Sequence, residues 1–392
     1  MADLFEQHMQ KMIQREADLK EQGVLVFRMS ATERQEFKEC RRRWDFSSYS
    51  RQGLEPKRAA VALWFGTGIH HVLEEYYRVE QAAGELPHEA FDIEKSWQAW
   101  IDKEFAKLEK QSGELWEAQK AELLDSVSLG RGMVEGYLRW ADKADFEGPT
   151  SFKKILYTER EFAVEVPGPD GKEFIFKDGN GQPWVIWLVG RMDLIVQDWK
   201  DKIWVVDHKT SKDKLDPEIL ILDDQMTVYM WALQEILGIE IEGCFYNVLR
   251  KKLPTIPKLL QNGTTSQDKS CDTTYEVYYD TLIERGQDPA QYENMLQMLQ
   301  QKDAKFFERV PVHRNQHEIA QAGKMLVMEG IDMLNEPYIY PNPTWDCRWK
   351  CDFKNMCLAQ NRQDDWQYLR ETMFQKRRAD EGSVYGREST IE

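Results

Sequence analysis

The chain has 392 residues, a formal net charge of -16 from 52 Lys and Arg against 68 Asp and Glu, and 42% hydrophobic residues including 14 Trp. That length suits two or three domains of roughly 100–200 residues, or one large domain with inserted elements, and the apolar content excludes a disordered protein. No apolar run approaches the roughly 20 residues of a membrane span. The charged, helix-patterned start MADLFEQHMQKMIQREADLKEQG lacks the apolar core of a signal peptide, so a soluble, cytoplasmic chain with no membrane partner is expected.

In chain order, residues 1–60 read as a helix, a loop and a basic aromatic stretch, and residues 61–150 as helical, with runs such as IHHVLEEYYRVEQAA. Strand character begins near Lys154 with ILYTEREFAVEV, and PGPDGK is a turn cluster. VGRMDLIVQDWKDKIWVVDHKTSK, residues 189–212, reads as a hairpin. LDDQMTVYMWALQEILG then reads as a helix closed by Gly238, and IEIEGCFYNVLRKK restores strand character. This defines a core over 151–260, a second helical region over 261–345, a cysteine segment over 346–360 and a charged, loosely held tail over 361–392. The order from residue 62 is helix, three strands, helix, strand.

The hairpin carries the chemistry. Centred on Lys200, it places Asp193 and Asp207 seven positions to either side, hence opposite one another with Cβ atoms about 5 Å apart. Lys209 projects on the same face as Asp207, because side chains alternate along a strand. Two unpaired carboxylates that close repel, and a hard divalent cation such as Mg²⁺ removes the conflict. Such a site can hydrolyse a phosphodiester, with Lys209 orienting water or stabilising charge on the phosphate. A cross-strand ion pair at a solvated sheet edge is the bland alternative. Asp/Glu-x-Lys tripeptides recur at Glu36–Lys38 and Asp352–Lys354, so the apolar strand and the matching Asp193 are what distinguish Asp207–Lys209.

Two further stretches add to this. FGTGIHHVLEEYY places His70 near a helix start behind a Gly-Thr-Gly turn, and neutral imidazole ligates divalent metals. Gln225 and Tyr229, spaced i,i+4, share one face of the helix after the hairpin. Basic residues cluster in two stretches, Lys38–Arg58 and Leu249–Lys258, which are either solvated faces or a phosphate track.

Of six cysteines, Cys347, Cys351 and Cys357 form C-x3-C-x5-C, and three thiolates need a fourth, for which Cys40 is the candidate. The spacing fits zinc and an iron–sulfur centre equally. Cys244, in an apolar strand, reads as an ordinary buried thiol.

Gly66-Thr67-x-x-His70, Gly190-x-x-Asp193, Asp207-x-Lys209 and Gln225-x-x-x-Tyr229, in this order, resemble the RecB-like branch of the PD-(D/E)XK nuclease superfamily, which includes RecB and AddB nuclease domains, CRISPR-associated RecB-like exonucleases and phage exonucleases. The resemblance implies an α/β restriction-endonuclease-like core (helix, three strands, helix, strand) with large helical insertions. It implies His70, Asp193, Asp207 and the His208 carbonyl as ligands of Mg²⁺ or Mn²⁺, Lys209 as the catalytic lysine, and Gln225 and Tyr229 in support or on DNA. Ser30, Thr32, Phe37, Cys40 and Trp44 resemble the upstream element of its iron–sulfur members. The resemblance therefore implies a [4Fe–4S] clamp on Cys40, Cys347, Cys351 and Cys357, with structural Zn²⁺ as the alternative. Arg41, where the family often has proline, and the three-residue gap between Cys347 and Cys351 depart from that pattern.

The expected function is a metal-dependent deoxyribonuclease, an exonuclease on single-stranded or end-containing DNA in recombination, repair or phage DNA processing. Without a G-x-x-x-x-G-K-[ST] loop the chain carries no helicase motor, so a helicase or recombination protein is an expected partner. A non-catalytic DNA-binding or scaffolding subunit of the same fold and a zinc-stapled interaction module are the rivals; the intact Asp193, Asp207 and Lys209 count against the first.

Overall fold

The computed structural model describes residues 2–58, 60–83, 91–112, 116–145, 147–301 and 306–377. Its helices are α1 (Ala2–Glu21), α2 (Ala31–Glu39), α3 (Arg41–Ser47), α4 (Val61–Ala83), α5 (Ile93–Ser112), α6 (Trp116–Ala144), α7 (Pro217–Leu222), α8 (Asp224–Leu237), α9 (Tyr275–Glu284), α10 (Glu293–Gln301), α11 (Gln316–Asn335), α12 (Lys354–Arg362) and α13 (Trp366–Met373). The strands are β1 (Leu25–Ser30), β2 (Leu54–Pro56), β3 (Lys154–Glu165), β4 (Phe176–Lys177), β5 (Pro183–Gln197), β6 (Ile203–Ser211), β7 (Gly243–Arg250), β8 (Phe307–His313) and β9 (Phe374–Lys376). None of the described helices is long and apolar enough to cross a membrane.

The expected succession of helix, three strands, helix and strand is present as α4–α6, β3, β5, β6, α8 and β7. The hairpin turns where expected, in a tight loop with Asp198 N donating to Lys202 O at 2.9 Å. Gly238 caps α8 in the left-handed region at φ 67°.

One mixed sheet of seven strands organises the fold. Along the path β1-β5-β6-β7-β8, β1 pairs β5 and β6 pairs β7 in parallel, whereas β5–β6 and β7–β8 are antiparallel; β3 and β4 both pair β5. The sheet therefore draws strands from outside residues 151–260. β1 lies in the stretch expected to be a loop, and β8 in the region expected to be helical. Val24–Phe27 is a short apolar run directly behind a left-handed turn at Gly23, and it becomes a strand only because β5 offers a parallel edge. β8 contains Pro311, which argues against an interior strand; as an edge strand pairing only β7 it loses no ladder bond.

Helices cover both faces. Ile195, Val205 and Tyr246 pack with Val228, Met230 and Leu233 of α8 and Leu326 of α11. Leu194, Val196 and Val206 pack with Ile69 and Leu73 of α4, Trp97 of α5 and Val134 of α6. The expected Gly-Thr-Gly turn is absent, because Gly66–Gly68 lie inside α4. Their role is close packing: a Cβ on Gly68 would meet the Trp100 ring at 2.5 Å.

The tail is more ordered than expected as far as Arg377, and residues 378–392 lie outside the described residues. β9 pairs β2, and Phe374 is buried with Phe46, Leu54, Phe353 and Met356. The ends of the chain are thereby joined, with Arg42 N donating to Tyr340 O and Lys57 N to Met373 O.

Candidate active site

β5 shares one edge between two partners. β1 pairs its residues Trp184–Val189, and β6 pairs Leu194–Gln197. Between them the edge opens into a fork, and Asp193 stands at its mouth. Met192 and Ile195 belong to the same apolar layer although they are three positions apart, so the strict alternation slips around Asp193. The β5–β6 ladder ends at Leu194↔Val206 instead of continuing to the expected Asp193–Asp207 pair. His208 N there donates to Asp193 Oδ2 at 2.8 Å.

His70 reaches the fork from α4, with Nε2 2.8 Å from the His208 carbonyl and Nδ1 3.4 Å from Asp193 Oδ2. Glu159, on β3 on the opposite side of β5, comes within 3.9 Å of His70 Nδ1. One ligand atom from each of His70, Glu159 and Asp193 falls within 4.8 Å of the other two. Glu159 was not anticipated. Nothing in YTEREFAVE separates it from Glu161 or Glu165, and what selects it is a register shift in β3 between Ile155 and Tyr157 and a left-handed φ of 45°.

Asp207 faces Lys209, with Oδ2 3.0 Å from Nζ, and is not one of these three. Asp223, also unanticipated, lies 3.8 Å from Lys209 Nζ and caps α8 by accepting from Gln225 N at 3.0 Å. Its sequence signal was an N-cap aspartate before an apolar run. Tyr229 projects from α8 toward the carboxylates, hydrogen-bonded by Gln225 and edge-on to Phe162 at 5.3 Å. Gly190 makes room for it: a Cβ there would lie 2.6 Å from Phe162 and 3.0 Å from the Tyr229 hydroxyl.

Burial pushes the Glu159 carboxyl up, and Asp193 pushes it further against the opposing His70. Burial also raises Asp193, but His70 and the His208 N–H outweigh it and hold that carboxyl below its usual range. Burial would lower His70, yet Asp193 and Glu159 raise it to about 9. Asp207 is raised by burial and Asp193 against the pull of Lys209. Burial opposes charge on Lys209, but Asp207 and Asp223 raise it above its ordinary value, so it is an ammonium at neutral pH.

The cluster fits a hard divalent cation. It offers two carboxylates and one imidazole, and the Glu159 Oε1 atom is buried without a hydrogen-bond partner among the described residues.

Cys40, Cys347, Cys351 and Cys357 lie near the junction of the chain ends, but among the described residues no three of their sulfurs fall within 4.8 Å of one another. Cys40 separates α2 from α3, and Cys351 is close enough to Cys40 and Cys347 to feel both. Cys351 and Cys357 pack on one apolar cluster. Backbone and side-chain donors reach the sulfurs: Asn342 N to Cys40 at 3.4 Å, Thr344 N to Cys347 at 3.4 Å and Arg42 Nη1 to Cys357 at 3.6 Å. Cys244 is buried apart from them and donates to Val312 O at 3.7 Å. Several side chains of the basic stretches are already paired with carboxylates. Arg41 pairs with Glu336, Arg43 with Glu36 and Glu39, Lys38 with Glu329, and Arg250 and Lys252 with Asp272.

A family model describing the PD-(D/E)XK nuclease superfamily matches residues 28–358, from β1 through the last of the clustered cysteines. The chain belongs to the PD-(D/E)XK nuclease superfamily. Its mixed α/β architecture is consistent with that fold, and the nucleases of this superfamily use divalent metals such as Mg²⁺ or Mn²⁺. No curated protein sequence matches the chain. The solved structure "Crystal structure of SSO0001" is 12% identical, with a TM-score of 0.26 over 75% of this chain and 84% of that one.

Proposed function

We propose that this PD-(D/E)XK chain is a metal-dependent deoxyribonuclease that works at the β5 fork, and that it acts as an exonuclease on single-stranded or end-containing DNA. The observation that carries the reading is the gathering of His70, Glu159 and Asp193 beside the Asp207–Lys209 pair. His70, Glu159 and Asp193 hold Mg²⁺ or Mn²⁺, with the His208 carbonyl and Asp207 bordering the site. The ion, when bound, polarises a phosphoryl oxygen and lowers the pKa of a coordinated water.

The protein's own groups do the rest. Lys209, fixed between Asp207 and Asp223, stays protonated; it acts as a donor to the phosphate or the attacking water, and is no base. Burial raises Tyr229, and Asp193 and Asp207 add to the shift, so it remains a neutral phenol able to donate to a phosphate oxygen. Apolar layers on both faces of the sheet leave the Asp193 and Asp207 side chains largely shielded, whereas His70 and Lys209 stay about a third exposed.

Cys40, Cys347, Cys351 and Cys357 form the second centre of the proposal, a [4Fe–4S] clamp. The N–H groups aimed at three of the sulfurs suit thiolate ligands. Any unwinding comes from a helicase or recombination partner.

Digestion of end-labelled linear and circular DNA with Mg²⁺ or Mn²⁺ tests the reading. Cation-dependent loss of linear DNA with the circle spared supports it. Cutting of the circle contradicts the exonuclease mode, and cutting that survives chelation of all divalent cations contradicts the metal site.

A further inference from the structure

His208, the spacer of Asp207-x-Lys209, is the hub of the fork. Its N–H holds Asp193 Oδ2 at 2.8 Å and its carbonyl lies 2.8 Å from His70 Nε2, so any shift of this residue moves two proposed ligands together. Its side chain points to the opposite face of β6 from Asp207, into a buried polar row set by strand register. His208 pairs with Asn247 on β7, and Asn247 with Arg309 on β8. All three are buried.

The donors and acceptors along this row admit one arrangement. Arg309 has only donors, so the atom of Asn247 that accepts from Arg309 Nε at 3.3 Å is the carbonyl Oδ1. The amide Nδ2 therefore faces His208 Nδ1 at 3.2 Å and the Tyr137 hydroxyl, one hydrogen for each. An amide donor at Nδ1 requires that nitrogen to be bare. The far end is anchored: Arg309 pairs with Asp145 and donates to Thr150 O at 3.0 Å and Ala144 O at 3.3 Å, with Phe152 4.0 Å from its guanidinium. Tyr77 stacks on the His208 ring at 12°, and its hydroxyl meets that of Tyr137 at 2.6 Å.

We infer that Asn247 and Arg309 are positioning residues for the fork, locking the His208 ring with Nδ1 as acceptor and Nε2 as the N–H, and so fixing the peptide that orients Asp193 and His70. The purpose rests on the reading of the fork as a cation site: a hydrogen-bonded row gives the hub one position, and through it Asp193 and His70 one geometry.

The test uses the whole chain with ¹⁵N-labelled histidine, and Mn²⁺ alone as probe. In the wild-type protein the His208 ring should carry its proton on Nε2 and none on Nδ1. Asn247→Asp replaces the donor by an acceptor; it should place a proton on Nδ1 and weaken Mn²⁺ binding about 10–100-fold, with the circular dichroism spectrum retained. A wild-type proton on Nδ1 overturns the lock, a result that stands even if the variant does not fold. So does a folded Asn247→Asp variant with unchanged tautomer and Mn²⁺ affinity. Failure of the wild-type protein to bind Mn²⁺ overturns the metal reading instead, while Nε2 protonation in the same sample still supports the lock.

Discussion

Glu159 and Asp193 face each other across β3 and β5, between the ladder pairs Thr158↔Leu194 and Arg160↔Met192, and Glu159 holds that place with a φ of 45°. A left-handed backbone at a non-glycine residue costs on the order of 1–3 kcal/mol and persists where the surroundings impose it. The same carboxylate is nearly buried and repelled by Asp193. The proposed cation site would give this strain a use.

Glu159→Gly should therefore separate stability from binding. Glycine adopts the left-handed region freely, so the metal-free variant should be about 1 kcal/mol more stable in urea unfolding. Its Mn²⁺ affinity by calorimetry should fall at least about ten-fold. A less stable variant with wild-type affinity would refute the role given to Glu159.

Lys209→Met removes an ammonium that is not itself a metal ligand. Cleavage should drop by about 10²–10³-fold in kcat, the scale for losing one transition-state donor, while Mn²⁺ affinity changes little. Single-turnover cleavage and a separate metal titration distinguish the two, and undiminished cleavage contradicts the assignment.

Metal binding should release protons. The free protein holds a proton on His70 below about pH 9, and Glu159 is raised toward neutrality by burial and Asp193. A cation displaces both protons, so affinity should rise with pH from 6 upward and level off once His70 has lost its own near 9. Calorimetry in buffers of different ionisation enthalpy reads this directly; an affinity independent of pH would show that neither group is a ligand.

The four-cysteine centre is tested by two substitutions. Anaerobically purified protein should be brown, with about four irons per chain. Cys40→Ser should lose colour and stability together, since it opens the centre and releases a tie between residue 40 and residues 347–357. Cys244→Ser should keep its iron, because that thiol lies against Val312. Colourless protein with one zinc would replace the cluster, and a Cys40→Ser variant with full metal content would remove Cys40 from the site.

The elements that could be read from sequence are those whose signals are local. β5, β6 and α8 carry alternation, a turn cluster and a glycine cap, so Asp207, Lys209, Gln225 and Tyr229 were placed on the right elements. Seven positions on either side of Lys200 gave the hairpin register as far as Leu194↔Val206. What lay beyond depended on contacts distant in sequence. The fork exists because β1 claims part of the β5 edge from more than a hundred residues away, and so Asp193 bonds to His208 N and no Asp207 pair forms. Glu159 depends on a bulge that has no composition signal. Two of the three arginines of α3 find carboxylate partners that the local sequence does not announce, Arg41 with Glu336 after α11 and Arg43 with Glu36 of α2.

The central claim is that the fork holds the cation that cuts DNA, and Asp193→Asn addresses it most directly. The change keeps the size of the side chain and an oxygen able to accept from His208 N, and removes the charge shared with His70 and Glu159. Mn²⁺ binding and cleavage of end-labelled single-stranded DNA should be measured on the same folded sample. The account predicts that both are lost together. Wild-type cleavage by this variant, with Mn²⁺ still bound at wild-type affinity, would contradict it.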